Sequence, residues 1–233
     1  MKLISIQIGM PKFLGSAEAN DPMDKAWESG IFKNPVTGPI LVHDKGLIGD
    51  GQADLKNHGG LDKAINAYPQ EHFSYWKKHL GITCEPGAFG ENFTTNGLIE
   101  KDVFIGDIFH IGKLTVQITQ PRQPCWKLVR KWKEKSLAAL VQQTGYTGWY
   151  FRVLQAGEVE APGELKLIDR PHPEWSISRA NDIMYNQTKD WDTSHQLGSC
   201  PALSENWKNT LLMRAEKRQN KSDQPRLKGE SDH

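Results

Sequence analysis

Cysteine is scarce in this chain of 233 residues, with only Cys84, Cys125 and Cys200, far apart and forming no CxxC pair. So few thiols, odd in number, exclude a disulfide framework and a cysteine-built structural zinc site. Long apolar runs are missing too. No stretch approaches the length of a membrane span, and the opening "MKLISIQIGMPKF" holds too short an apolar run for a secretory leader. Excess charge of either sign is absent: 29 Lys and Arg against 28 Asp and Glu leave a net +1. No overall field therefore favours a nucleic-acid polymer or an anionic membrane. P-loop, GxGxxG, GxSxG and HExxH patterns do not occur. These absences lead to the expectation of a cytoplasmic protein with reduced thiols.

What is present is ordinary globular composition, 37% hydrophobic and 24% charged, enough for one substantial domain and a small appendage. "KLISIQIG" alternates as an opening strand. "PQEHFSYWKKHLG" predicts a helix with Pro69 in its first turn, Phe73, Trp76 and Leu80 on one side, and Gly81 as cap. "AFGENFTT", "VFIGDIFHIG", "KLTVQIT", "WYFRVLQAGEV" and "ELKLIDR" are strand-like bursts between Gly and Asn turns, the texture of a β-barrel or rolled sheet. Between them "WKLVRKW" and "SLAALVQQTG" read as two helices, with Ser136 as N-cap and Gly145 as C-cap. After "DRPHPEWS" the rhythm becomes helical without strand signal. Three helices follow, with Ser176 and Ser204 as N-caps, and the polar end from 221 reads as a flexible tail.

Three clusters carry candidate chemistry. Cys125 in "QPRQPCWKL" stands where a strand pattern turns helical, between Pro124 and Trp126. Arg122, Lys127 and a helix start all favour its thiolate. The options for such a thiol are nucleophile, redox group or soft metal ligand, against an inert buried cysteine. In "DLKNHGGLDKAI", Lys56, His58 and Lys63 are donors for an anion, and Gly59 and Gly60 permit close backbone approach. The plainer account is a Gly-Gly turn with solvated charges. In "PGAFGENFTTNG", Glu91 and Asn92 follow Phe89 at a strand start, where polar tips can enter a pocket beside an aromatic wall. His72 and His79 share a predicted helix without a carboxylate partner, and Cys84 and Cys200 lack helpers.

Taken together, "KNHGGLDKAINAY", "PGAFGENFTTNGL", "GDIFHIGKLTVQITQPRQPCWKL" and "GWYFRVLQAGEV" resemble, in order and spacing, the motifs of MOSC domains. These are similar to the carboxy-terminal domain of molybdenum cofactor sulfurase, and the bacterial YiiM-like subgroup fits best. The resemblance implies a mainly β fold: a MOSC β-barrel over residues 1–172, a three-helix domain over 173–220 and a tail over 221–233. It also implies a molybdenum cofactor, bound through its pyranopterin, with Cys125 as thiolate ligand. Lys56, His58, Gly59, Gly60, Lys63, Phe89, Glu91, Asn92 and Arg122 are then the expected cofactor-binding residues, with His58 or Glu91 as proton source.

The implied activity is reduction of small N-hydroxylated compounds, hydroxylaminopurine-type base analogues among them. Electrons would come from a separate flavin or iron–sulfur reductase, and the protein would be a monomer or homodimer. A carrier of the cofactor, or of sulfur on Cys125, uses the same residues. A metal-free cysteine hydrolase needs a histidine base for Cys125, and no local motif supplies one.

Overall fold

In the computed structural model, residues 1–229 are described, except for the side chains of Lys56 and Asn57. The chain opens with β1 (Lys2–Ile8), the hairpin β2 (Lys12–Leu14) and β3 (Trp27–Ser29), then β4 (Asn34–Pro35), β5 (Ile40–His43) and β6 (Gly46–Leu47). Helix α1 (Leu55–His58) precedes β7 (Ile65–Pro69), α2 (Phe73–Leu80), β8 (Phe93–Asn96), β9 (Ile108–Ile111) and β10 (Leu114–Pro121). Next come α3 (Trp126–Trp132), α4 (Leu137–Thr144), β11 (Trp149–Gln155), β12 (Gly157–Val159), β13 (Gly163–Glu164) and β14 (Lys166–Asp169). The C-terminal part is α5 (Ile177–Tyr185), α6 (Trp191–Gly198), α7 (Glu205–Lys217) and α8 (Gln224–Lys228).

The principal sheet is curled and barrel-like, in the order β13-β1-β8-β7-β11-β10-β9-β14, with β4 also paired to β1. Its pairs are antiparallel except β7 with β8. That parallel pair follows from α2, which carries the chain across before β8 begins. Pro69 ends β7 instead of opening the helix, and its ψ of 127° is extended. Gly81 caps α2 with φ 68°, and Gly145 caps α4 with φ 72°, left-handed values that glycine adopts without strain.

One continuous core runs from the sheet into the helices beyond it. Val116, Ile118, Trp149 and Phe151 of the sheet cluster with Ile177, Ile183, Leu197, Trp207 and Leu211. Each of those four aliphatic helix residues is 0% exposed. Complete burial of one such side chain stabilises by about 1.5–3 kcal/mol, so the helices gain stability from packing on one another and on the sheet. A second cluster joins Tyr68, Trp76 and Phe89 to Leu128, Leu137 and Val141 beneath α3 and α4.

The helix caps divide by chemistry. Ser176 Oγ accepts from Arg179 N at 3.1 Å, and Ser204 Oγ accepts from Trp207 N at 3.3 Å. Ser136, expected to do the same, instead donates Oγ–H to Glu134 Oε1 at 2.7 Å and makes no cap bond. The tail expected from residue 221 contains α8, which is fastened by Arg226. Its Nη1 donates to Pro124 O, and its Nη2 donates to Gln142 Oε1 at 2.5 Å and Asp223 Oδ1 at 2.8 Å. Residues 230–233 lie outside the described residues.

Candidate functional site

Cys125 is delivered to the site by the end of β10. Pro121 has no N–H to donate and pairs with Trp149 as the last residue of the ladder. Arg122 N then donates to Gly148 O at 3.1 Å. Gly148 has φ 67°, and a Cβ there would meet Ala67 O at 2.2 Å, so only glycine lets the strands approach so closely. Beyond Pro124, Cys125 is extended, with φ −136° and ψ 167°. Its carbonyl accepts from Leu128 N at 3.0 Å to begin α3.

Two clefts meet at this residue. The smaller has about 570 Å³ of open space, with Lys33, Asn66, Phe89, Asn92 and Arg122 on its walls. The larger has about 1730 Å³ and is walled by Trp126, Arg130, Arg226 and Lys228. Cys125, His58, Lys63, Lys127 and Tyr150 line both.

The Cys125 side chain is buried, with Sγ 3.8 Å from His58 Nε2. Burial alone would push the thiol up. The His58 hydrogen bond and charge, the Arg122 charge and the Lys127 backbone N–H outweigh it, bringing the pKa down to about 6. The other thiols go the opposite way. Burial, reinforced by Glu91, pushes Cys84 up to about 12, and burial raises Cys200. Cys125 is therefore the one cysteine of the three that is held as a thiolate near neutral pH.

Arg122 supplies the second feature. It is buried, its Nη2 makes a long 3.4 Å bond to Phe89 O, it hydrogen-bonds Tyr150 and its charge faces Cys125, while Nη1 has no partner among the described residues. With the thiolate beside it and one nitrogen still unsatisfied, the buried guanidinium is placed to take an oxygen of an anion from outside the protein. Lys63 lines the same space, and burial lowers its pKa against the opposing pull of Asp62 and Asp54. Asn66 Oδ1 also lacks a partner among the described residues on this wall.

The other expected residues separate into two groups. Phe89 lines the cavity and stacks on Tyr68 at 4.1 Å between ring centroids. Asn92 lines it too, donating Nδ2–H to Asp50 Oδ2 at 2.9 Å and to Gln7 O at 3.2 Å. Glu91, expected as a proton source, is not on the wall of either cleft. It is 0% exposed and accepts from Gly87 N at 2.7 Å, Phe89 N at 2.9 Å and Thr94 Oγ1 at 2.9 Å. Its carboxylate organises the loop before β8, which corrects the proton-source expectation. Gly59 and Gly60 also stay off both walls; Gly60, at φ 94°, turns the chain into the Leu61–Lys63 helical turn. Lys56 lies outside the described side chains.

The sequence reading missed several site residues. Lys33 and Asp50 form a buried ion pair on the cavity wall, and Gly9 N donates to Asp50 Oδ1 at 2.8 Å. Three separate segments build that pair, so no local pattern announces it. Tyr150 was discoverable, because the alternation of β11 puts Trp149 and Phe151 in the core and turns Tyr150 the other way. His58 beside Cys125 supplies the histidine that no local motif provided. Its other ring nitrogen has no orienting partner among the described residues, unlike the base of a nucleophilic dyad.

Among the described residues, no group of three or more His, Cys, Asp or Glu side chains could cage a metal. One thiolate beside a guanidinium with an unsatisfied nitrogen instead fits a metal whose remaining positions are filled by an anionic organic cofactor.

This fold and site define a class, and the chain belongs to the MOSC domain family, whose model matches residues 54–166. The helices that follow match the YiiM-like 3-alpha helix domain over residues 175–218. The chain is similar to YflK of Bacillus subtilis, 40% identical over 215 residues that cover 92% of this chain and 95% of YflK. The crystal structure of YiiM from Geobacillus stearothermophilus is 39% identical, with a TM-score of 0.77, covering 91% of this chain and 98% of that one. A Gibberella moniliformis protein named "Reductase" is 33% identical over 162 residues, 67% of this chain but 28% of that longer protein. MOSC domains are associated with molybdenum cofactor binding. No helix among the described residues is long and apolar enough to cross a membrane.

Proposed function

We propose that this protein binds the molybdenum cofactor with Cys125 as thiolate ligand and reduces small N-hydroxylated compounds, hydroxylaminopurine-type base analogues among them. A separate flavin or iron–sulfur reductase supplies the electrons. The observation that carries this reading is the pairing of Cys125, its pKa lowered to about 6, with a buried Arg122 whose Nη1 has no partner. When bound, the cofactor supplies a two-electron couple suited to taking oxygen from an N–OH group.

The chain's own residues do the rest. Cys125 offers Sγ as a preformed thiolate, which a soft metal centre takes without first removing a proton. Arg122 and Lys63 face the cavity as cations for the cofactor's anionic groups. His58 Nε2, 3.8 Å from Sγ, is placed to hold a proton at the edge of the larger cleft and pass it to a departing hydroxyl. Phe89 and Tyr150 close the apolar side and limit water. The cleft beside Sγ is open to the outside, so the ligand position stays reachable by a substrate, as an enzyme requires. The relative named a reductase points the same way.

The test is metal analysis of protein made in a cofactor-competent host. Close to one molybdenum per chain is expected, falling to background in Cys125→Ala while the fold persists. Full molybdenum content in that variant would remove the ligand role.

A further inference from the structure

Tyr150 brings a hydroxyl to the point where the two clefts meet. Asp54, His58, Lys63, Cys125, Lys127 and Tyr150 line both of them. Cys125 is the proposed ligand, with His58 beside its thiolate, and the two lysines are cations suited to the cofactor's anionic groups. Tyr150 differs from all of these in offering a neutral O–H, and it is only 7% exposed.

The strand holds that side chain firmly. Tyr150 pairs with Gln120 of β10 on one side and Asn66 of β7 on the other, and its carbonyl accepts from Thr119 Oγ1 at 3.2 Å. Its neighbours Trp149 and Phe151, both 0% exposed, anchor β11 in the core. A group carried by an inner strand keeps its direction better than one carried by a loop.

The direction of the hydroxyl proton follows from Arg122, which hydrogen-bonds the Tyr150 side chain. A guanidinium can only donate, so the phenol oxygen is the acceptor and its own O–H must point elsewhere. Among the described residues no group accepts that O–H. Burial raises the phenol's pKa and outweighs Arg122, so the proton stays on at neutral pH. The result is a buried donor whose acceptor has to come from outside the chain.

An N-hydroxylated compound supplies such an acceptor. Its hydroxyl oxygen is uncharged, which suits a neutral donor better than the surrounding cations, whose partners are anions. Reduction of R–NHOH to R–NH2 and water takes two electrons from the reductase and two protons, and it breaks the N–O bond. A donor on that oxygen also stabilises the charge that grows there as the bond breaks.

We propose that Tyr150 recognises the substrate's N–OH group, donating its O–H to the hydroxyl oxygen beside Cys125 and so separating an N-hydroxylated compound from the corresponding amine. This rests on the reductase reading above and names the residue that reads the oxygen.

The experiment measures binding of adenine and N-hydroxyadenine, which differ by one oxygen, to the oxidised, cofactor-loaded protein by calorimetry. No electrons are supplied, so nothing turns over. The wild type is expected to bind N-hydroxyadenine about five- to ten-fold more tightly than adenine, as one added hydrogen bond implies. Tyr150→Phe should abolish that preference and leave adenine binding and molybdenum content unchanged. With electrons supplied, its kcat for N-hydroxyadenine should fall about ten-fold or more. Equal binding of the two purines by the wild type overturns the proposal, and that result needs no variant. A preference that survives Tyr150→Phe also overturns it. Loss of molybdenum from folded Tyr150→Phe assigns the hydroxyl to the cofactor and overturns it as well. A preference that disappears in Tyr150→Phe, with no reduction by the wild type when electrons are supplied, removes the reductase reading and leaves the recognition. Reduction at the wild-type rate in Tyr150→Phe, with the preference intact, does the reverse.

Discussion

His58 Nε2 and Cys125 Sγ stand 3.8 Å apart where two clefts meet, although 67 residues separate them in the chain. The imidazole and the Arg122 guanidinium together overcome the burial that would otherwise keep the thiol protonated. In the cofactor-free protein, iodoacetamide alkylation of Cys125 should therefore rise with a midpoint near pH 6. In His58→Ala the midpoint should move up by a unit or more, making the thiol at least about two-fold slower at pH 7. An unchanged midpoint would dissociate His58 from the thiolate.

The same shift has a consequence for stability. The folded pKa of Cys125 lies below its ordinary value of 9.0, so the folded state favours the deprotonated form. The stabilisation is complete above about pH 9 and is lost as pH falls through about 6. Cofactor-free wild-type protein should thus gain denaturant resistance between those limits relative to Cys125→Ser, whose hydroxyl does not titrate there. Parallel pH profiles for the two proteins would count against a depressed thiol.

Arg226 joins the last helix to the residue before the ligand, donating to Pro124 O while packing 5.5 Å from the Tyr185 ring. Gly229 lies against Trp126, the next wall residue. Arg226→Ala removes those ties without touching the main core. Cys125 alkylation should then quicken several-fold while global stability falls by only about 1 kcal/mol, the worth of exposed and half-buried polar contacts. Equal alkylation rates would show that α8 does not cover the thiol.

How far the fold could be read in advance depended on how local its causes are. β1, the glycine caps at Gly81 and Gly145, and the serine caps at Ser176 and Ser204 each follow from a few neighbouring residues. Cys125 was conspicuous because its proline and cation neighbours are adjacent in sequence. What stayed hidden depends on distant partners. His72, set aside for want of a carboxylate, meets Glu100 at 2.7 Å, and Glu100 also accepts from Gly148 N at 2.8 Å. The Lys33–Asp50 pair and the docking of α8 likewise arise only when separate segments come together. Glu91 looked like a pocket residue because sequence shows a carboxylate beside an aromatic and not the backbone N–H groups that surround it.

Ser204 links the helices to the strand that carries the ligand. Its hydroxyl accepts from Trp207 N to cap α7 and donates to Gln120 Oε1 at 2.7 Å, one residue before Pro121. Ser204 is 0% exposed, so Ser204→Ala loses a cap and leaves Gln120 Oε1 short of a partner. A loss of about 2–3 kcal/mol in denaturant unfolding is expected. Ser204→Thr keeps the hydroxyl and should recover part of it, which a purely steric effect would not allow.

Glu91 separates a structural carboxylate from a catalytic one. Its two oxygens receive Gly87 N, Phe89 N and Thr94 Oγ1, all donors, and it lines neither cleft. Glu91→Gln puts an NH2 group against donors and removes a charge that the loop solvates. Stability should fall by about 2–4 kcal/mol. Because Phe89 rides on this loop, cofactor retention should weaken with it. Molybdenum-dependent reduction per bound cofactor should nevertheless persist at close to the wild-type rate, measured on the fraction that keeps its metal. A large loss of rate per molybdenum at intact stability would return Glu91 to the proton path and displace His58 from it.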